Sequence, residues 1–408
     1  MEGQDPTQPG WEQPLTSRLL RVGRPGLEAY LEQGGLVGAQ RAARFSRVEA
    51  LTELRASGLR ERGLDAAPLY LTWQRFLEQP GPGLLVAEAR PADPRSLAER
   101  ALLAGNPFLL VEGLIIAALV SGAEQARVLL SPEQADLAPL IQGAWEEIAR
   151  RDPLEGEGPR LSLSFPGRGE EVPAGARVLL HCLETWCQLP LLASWGAGWF
   201  RGLGRAGQGG TRLLTVGGHV GSPGLLEAPM GASLWQILEA AGGIPGRDMA
   251  SFQGLALDGG LGGFLALESA ATPLAPEELA GLGCAPVPST VWALGPGDCL
   301  VEETGRALER LAAPEGEDGG LVRELILKAL DLARRAGRAG LSGREDSLAA
   351  SERLLDELQT LAWELKALGS RAARPLITSL NQFGEQWAGR LAGRGCSAQP
   401  SPPPRPAP

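Results

Sequence analysis

The chain has 408 residues and a net charge of −10, and its 56 Gly and 33 Pro supply turn formers throughout. With 44% hydrophobic and 21% charged residues it has a globular rather than a disordered balance, and its length suits roughly two to four domains, each able to bury a core. An acidic chain lacks the basic footprint of a general nucleic-acid binder.

Scarcity narrows the chemistry further. Lys328 and Lys366 are the only lysines, His181 and His219 the only histidines, and Tyr30 and Tyr70 the only tyrosines. The cysteines are Cys182, Cys187, Cys284, Cys299 and Cys396, with no C-x-x-C pair. That pattern argues against an iron–sulfur or structural zinc site built from this chain alone. It also does not suggest a disulfide framework, so a reducing, cytoplasmic setting is expected. No secretory leader opens the sequence. The most apolar stretch, Phe108 to Ala123, is short for a membrane span and contains Glu112, so no membrane insertion is expected.

In chain order, residues 1–18 read as a flexible arm rich in Pro and Gly. A short helix from Leu27 stops at Gly34–Gly35, and a longer helical pattern covers Ala39 to Ser57. Leu84–Val86 and Arg127–Leu130 read as strands around an apolar helix opened by Asn106–Pro107. Ser131-Pro132-Glu133-Gln134 carries an N-cap, a proline at the first helical position and a capping-box Gln, beginning a helix to Arg151. Alternating strands and helices point to an α/β unit. Arg160–Phe165 alternates as a strand, and a helix is expected over 178–189, before Pro190. On that helix Cys182, next to His181, and Cys187 would diverge, as residues five apart stand about 140° apart from each other, which favours packing over a metal site. Between 210 and 296 the texture changes to short strands and tight turns with one helix at 233–241, an α+β module. Four helices follow (299–312, 320–338, 346–368 and 375–392), the pattern of a bundle. A proline-rich tail, CSAQPSPPPRPAP, closes the chain.

Several stretches, taken together, resemble one family. LLRVGRPGLEAYLEQGGLVGAQRA from Leu19, then Ser57-Gly58-Leu59-Arg60-Glu61-Arg62-Gly63 through Pro68 to Trp73, Asn106-Pro107-Phe108 to Glu112-Gly113, Leu183-Glu184-Thr185 with Pro190, and GAGWFRGLG from Gly196 recur in one order. Gly210-Thr211-Arg212-Leu213, Gly218-His219-Val220, Pro223-Gly224 and Gly242-Gly243 follow, then Ala367-Leu368-Gly369 and Pro375 to Phe383. This series is similar to the NADH-oxidising flavoprotein subunit of bacterial respiratory complex I and of NAD-linked hydrogenases and formate dehydrogenases. The resemblance implies an FMN-domain-like α/β part over 19–205, a β-grasp module of the SLBB type over 206–297, a four-helix bundle over 298–394 and a disordered tail over 395–408.

The same resemblance locates the family's chemistry, and there this sequence departs from it. In the phosphate loop the family's glycines correspond to Glu61, Leu64, Asp65 and Ala66, and Thr72 stands where a lysine is expected. Side chains would fill the approach of backbone N–H groups to a phosphate. A carboxylate ~4 Å from a phosphate charge at an effective dielectric of ~20 adds about 4 kcal/mol of repulsion. In the second flavin segment, Glu88 to Arg100, only Ala89, Pro94 and Arg100 persist. Glu133 is explained by its capping turn, and His181-Cys182 replaces an asparagine pair. Gly169-Glu170-Glu171 is the one candidate remnant of the nicotinamide segment. The cluster loop corresponds to Ala313 to Gly320, without a cysteine, and the fourth ligand position is Lys366, read as an internal counter-charge.

No catalytic, cofactor-binding or metal-binding residue is therefore assigned, and no cofactor is expected. The reading is a non-catalytic paralogue, a pseudoenzyme, serving as a structural, assembly or regulatory subunit of an NADH-dehydrogenase-like or hydrogenase-like complex. Its expected partners are other subunits, such as a thioredoxin-like [2Fe–2S] subunit or an active paralogue, with localisation in the cytoplasm or peripheral to the inner membrane. One alternative is a divergent but active NADH:acceptor oxidoreductase subunit with a phosphate site rebuilt from Arg60, Arg62 or Arg95. Another is a ligand- or partner-binding protein centred on the SLBB-like module.

Overall fold

A computed structural model describes residues 10–19, 26–63, 65–151, 162–165, 172–247, 252–312, 320–342, 348–368, 370 and 373–391. Leu64, the 169–171 segment, the 313–319 loop and the C-terminal tail, all named above, lie outside the described residues. The chain divides into two compact units: 8–215 with 225–232, and 216–224 with 233–408 together with the first seven residues.

The first unit begins with α1 (Leu27–Glu32), α2 (Val37–Ala42), α3 (Arg47–Ser57) and α4 (Leu69–Glu78). The long helix expected from Ala39 is therefore two, because Ser46 forms a capping box with Glu49 and restarts the chain as α3. Then come β1 (Gly83–Glu88), α5 (Ala98–Gly105), α6 (Pro107–Ser121), β2 (Gln125–Leu129), α7 (Ala138–Arg151), β3 (Ser162–Ser164), β4 (Arg177–Cys182), α8 (Leu183–Trp195) and α9 (Ala197–Gly202). The Ser131 capping box forms as expected, but it opens a short 3-10 turn over Pro132–Leu137 before α7.

The four strands make a parallel sheet in the order β3-β2-β1-β4. Register places Glu88 opposite Leu129 on one side and Cys182 on the other, so the carboxyl ends of three strands lie together. Open α/β sheets place ligands at such an edge. Helix α6 is apolar around its whole circumference and buried along nearly its whole length, as a helix without a polar face must be. Gly113 lets it approach α8: a Cβ there would overlap the Trp186 carbonyl. Its one charged residue, Glu112, accepts hydrogen bonds from the Tyr30 hydroxyl and from the amides of Leu36 (2.8 Å) and Ala39 (3.0 Å). Among the described residues no single helix is long and apolar enough to cross a membrane; α5 and α6 reach that length only as a pair bent by 90°.

The sequence expected a helix over 178–189; instead His181 and Cys182 end strand β4, and α8 starts at Leu183. The alternation of Arg177–Cys182 matches the β1 ladder, and this tertiary pairing decides the conformation. Nor does Pro190 stop α8: the residues around it are buried, and the helix runs on to Trp195.

β5 (Thr211–Gly218) and β6 (Gly224–Pro229) straddle the division of the units. In the first unit, Glu227 on β6 accepts from the Thr211 hydroxyl and from the amides of Leu15 (3.1 Å) and Thr16 (2.8 Å), tying the 11–18 segment down. The segment expected to be a flexible arm is thus anchored at its second half.

The second unit continues with α10 (Leu234–Ala240), β7 (Gly254–Leu257), β8 (Gly263–Leu265), α11 (Pro276–Gly281) and β9 (Thr290–Leu294). β7 pairs antiparallel with both β8 and β9. Helices α12 (Leu300–Ala312), α13 (Gly320–Ser342), α14 (Leu348–Ala367), α15 (Ala373–Gln382) and α16 (Gly384–Leu391) follow. The last expected helix is broken at Phe383 into α15 and α16. They share a core with the module: Leu358, Leu365, Leu376, Phe383 and Trp387 cluster with Ala256 and Phe264, and the Phe264 amide donates to Thr378 Oγ1 at 2.9 Å. Cys299 is disulfide-bonded.

Candidate functional site

The carboxyl ends of β1 and β4 face the loop that joins α3 to α4. Gly58 ends α3 in the left-handed conformation at φ 68°. The loop then closes on itself, the Glu61 amide donating to the Ala67 carbonyl at 2.8 Å and the Leu69 amide to Leu59 at 3.0 Å. Ala66 holds a positive φ of 50°, a conformation that favours glycine.

Glu61 does not face outward toward a would-be anion. Its carboxylate turns inward and is buried. Oε1 accepts from the amides of Gly63 (3.0 Å) and Cys182 (2.9 Å) and from the Thr185 hydroxyl (3.0 Å), and Oε2 pairs with His181 Nδ1. Cys182 is the N-cap of α8 and Thr185 lies in its first turn, so the carboxylate sits where the helix end favours negative charge. The loop and helix terminus that could cradle an external anion are filled by a side chain of the same chain.

His181 is fixed on its other side by Trp73, whose indole N–H donates to Nε2 at 3.2 Å. An acceptor at Nε2 places the imidazole proton on Nδ1, facing Glu61. Burial pushes the Glu61 carboxyl up, but the interaction with His181 and the hydrogen bond from the Cys182 amide outweigh that and hold it below the usual carboxylate range. Burial, with the negative charge of Glu61, raises the Cys182 thiol well above its ordinary value; such a thiol is a poor nucleophile. Cys187 is likewise raised by burial, and burial pushes the Cys284 thiol up to about 12.

The arginines near the loop are held by the chain itself. Arg62 is buried and donates through Nε to the Thr211 carbonyl (3.1 Å) and through Nη2 to that of Gly209 (2.7 Å); burial lowers it to about 10. Arg95 grips the buried Asp93 through Nη2 at 2.9 Å, and Arg60 reaches the carbonyls of Gly207 and Ala66. Arg212 pairs with Glu184 at 2.8 Å, both buried, and burial raises the Glu184 carboxyl against the pull of Arg212 and Arg62.

The remaining sequence candidates separate. Asp65 is exposed and accepts from the nearby Ala67 amide (3.2 Å), and the Thr72 hydroxyl bonds back to the Leu69 carbonyl (2.8 Å). Glu133 is exposed on its turn. The amide of His219 donates to the Ala293 carbonyl at 2.8 Å. Lys366 is corrected: it is exposed, with Nζ 4.7 Å from the centre of the Trp363 ring, and is no buried counter-charge. Among the described residues no group of three or more His, Cys, Asp or Glu is arranged to hold a metal ion. The Glu61–His181 pair was not anticipated, since the partners are 120 residues apart and each was read singly. The available signal was that both replace family residues around one loop.

The fold is a parallel α/β unit followed by a small α+β module and helices. No protein-family model matches the chain. It is 27% identical over 433 residues to the F subunit of the NADH-quinone oxidoreductase of Streptomyces coelicolor, an alignment spanning 92% of this chain and 90% of that protein. The corresponding protein of Aquifex aeolicus is 26% identical over 276 residues, covering 58% of this chain and 64% of the relative. Among solved structures, an NAD+-reducing [NiFe]-hydrogenase in its H2-reduced state aligns with a TM-score of 0.72 at 24% identity, over 90% of this chain and 67% of that one. The chain is a relative of the complex I flavoprotein subunit, as its motifs suggest.

Proposed function

We propose that this protein is a non-catalytic member of that family, a structural, assembly or regulatory subunit of an NADH-dehydrogenase-like or hydrogenase-like complex. One observation carries the reading: the Glu61 carboxylate takes the Gly63 and Cys182 amides and the Thr185 hydroxyl at the α8 N-terminus. A flavin phosphate at that loop would need those donors, and would meet a buried negative charge in their place. FMN therefore does not fit this loop. The donor chemistry for a [4Fe–4S] cluster is also wanting, because Ala313 to Gly320 offers no thiol and the fourth position is Lys366.

The coupling of the loop, α8 and the Arg62 contacts keeps the shell of the fold while removing its electron path, which suits a subunit retained for its surfaces. Its partners in this reading are other subunits of such a complex, including a thioredoxin-like [2Fe–2S] subunit or an active paralogue, in the cytoplasm or at the inner-membrane face. The alternative of a phosphate site rebuilt from Arg60, Arg62 or Arg95 is disfavoured, since carbonyls and Asp93 already engage all three. Assaying the isolated chain for NADH-dependent dye reduction tests the proposal: no turnover above a buffer control is expected, and turnover with added FMN or without it overturns it.

A further inference from the structure

Where α8 ends, the first unit has an open recess of about 710 Å³, walled by the indoles of Trp11, Trp195 and Trp199 together with Pro14. Trp195 and Trp199 lie with ring centroids 5.6 Å apart at 35°. Trp195 is 59% exposed and the other two are partly exposed, so each indole keeps apolar surface in water. Aromatic-lined grooves are the surfaces that take polyproline II segments, whose preformed shape costs little entropy to bind. The lining carries one acid, the exposed Glu12, and one base, Arg18, which is buried. The charge that the recess presents to a ligand is therefore negative.

The same sequence carries a segment of complementary chemistry. Six prolines fall between Pro400 and Pro408, and Arg405 is the only charged side chain among them. In a polyproline II helix three residues complete a turn, so residues three apart share one edge at a spacing of about 9 Å. Pro400, Pro403 and Pro406 have that spacing, and Pro402, Arg405 and Pro408 have it on the neighbouring edge. The register offers an all-proline edge for indoles beside a cation for a carboxylate.

We propose that the proline-rich segment 397–408 of one copy of this chain docks in the tryptophan recess of a second copy, with the Pro400, Pro403 and Pro406 edge against the indoles and Arg405 beside Glu12. Recess and segment are different surfaces, so the contact is heterologous and joins copies head to tail. A peptide of that length covers less than a standard interface, which makes the association weak and concentration-dependent. Its strength is concentrated on the large exposed indole of Trp195. The inference does not rest on the reading of the Glu61 loop.

Sedimentation velocity of the full chain over a wide range of concentration tests the contact. Association that grows with concentration is expected. Pro403→Ala with Pro406→Ala, and separately Trp195→Ala, should each weaken it about tenfold while keeping the parent's melting temperature. A synthetic peptide of residues 397–408, titrated into the full chain carrying Pro403→Ala and Pro406→Ala, should bind saturably. Glu12→Arg in that chain should weaken the peptide about two- to fivefold, and a peptide carrying Arg405→Glu should recover the loss. A parent that stays monomeric at every concentration, association unchanged by the proline or the Trp195 variant, or a peptide that does not saturate overturns the proposal. Peptide binding without association of the parent overturns it too, because the occupant is then not a second copy. Should Trp195→Ala lower the melting temperature, the proline variant and the charge swap decide it.

Discussion

The carboxylate of Glu61 accepts the backbone N–H of Cys182 at 2.9 Å, so the N-cap of α8 is satisfied by a side chain from a loop 121 residues earlier in the chain. The bond joins the α3–α4 loop to the carboxyl end of the parallel sheet. It also makes the loop's negative charge part of the fold.

That role has a pH signature. The folded carboxyl of Glu61 lies below the ordinary range, so its ionised form stabilises the fold above the unfolded value of about 4.3. The contribution is lost as pH falls through the lower folded value. Glu61→Gln should destabilise the protein at neutral pH and flatten the acid side of its stability curve relative to the parent. Urea denaturation from neutral pH down to below about pH 4 measures this, and a difference between the two proteins that stays constant to the acid end of that range would contradict it. Glu61→Ala, which strands the His181 imidazole, the Thr185 hydroxyl and two amides, should cost at least about 1–3 kcal/mol, the penalty of a buried donor left unsatisfied.

Trp73 sets the state of His181. Because the indole donates to Nε2, the nitrogen-15 spectrum of the imidazole at neutral pH should show the Nδ1-protonated tautomer. With only two histidines in the chain, assignment needs one substitution. Trp73→Phe should cost about 1–3 kcal/mol by leaving Nε2 without its donor and should shift that spectrum; an Nε2-protonated His181 in the parent would refute the arrangement.

Arg212 and Glu184 form a buried pair at 2.8 Å, and Glu184 also accepts from the Leu213 amide at 2.9 Å. Arg212→Met alone should cost about 3–5 kcal/mol by leaving a buried charge, and Arg212→Met with Glu184→Leu distinctly less than the sum of the two singles. Additive losses in denaturant titration would show that the pair is not coupled.

Gly113→Ala tests the α6–α8 packing. The added methyl would overlap the Trp186 carbonyl and stand 2.9 Å from its carbon, a backbone group that cannot swing aside, so a loss of about 1–3 kcal/mol or more is expected. A parent-like melting temperature would contradict the close approach.

Much of this fold was legible in the sequence because it depends on local signals. The apolar run of α6, the Ser131 capping box and the glycine stop at Gly58 each carry their own physics in adjacent residues. The boundary at 178–189 was misread because β4 takes its conformation from pairing with β1, a partner nearly a hundred residues away. Pro190 misled for a related reason: burial on both sides of the proline keeps α8 intact through it. Loss of a phosphate loop could be read from Glu61, but the direction of its side chain could not. His181, Cys182 and Thr185 recruit it from one stretch about 120 residues further on, with Trp73 bracing His181 from α4, and no periodicity in the sequence links them.

Flavin and iron content tests the central claim most directly. The protein isolated from its native host together with its complex, then separated from its partners, should contain neither FMN nor iron bound to this chain. Stoichiometric FMN on the separated subunit would mean that Glu61 leaves its amides to admit a phosphate, and would contradict the account.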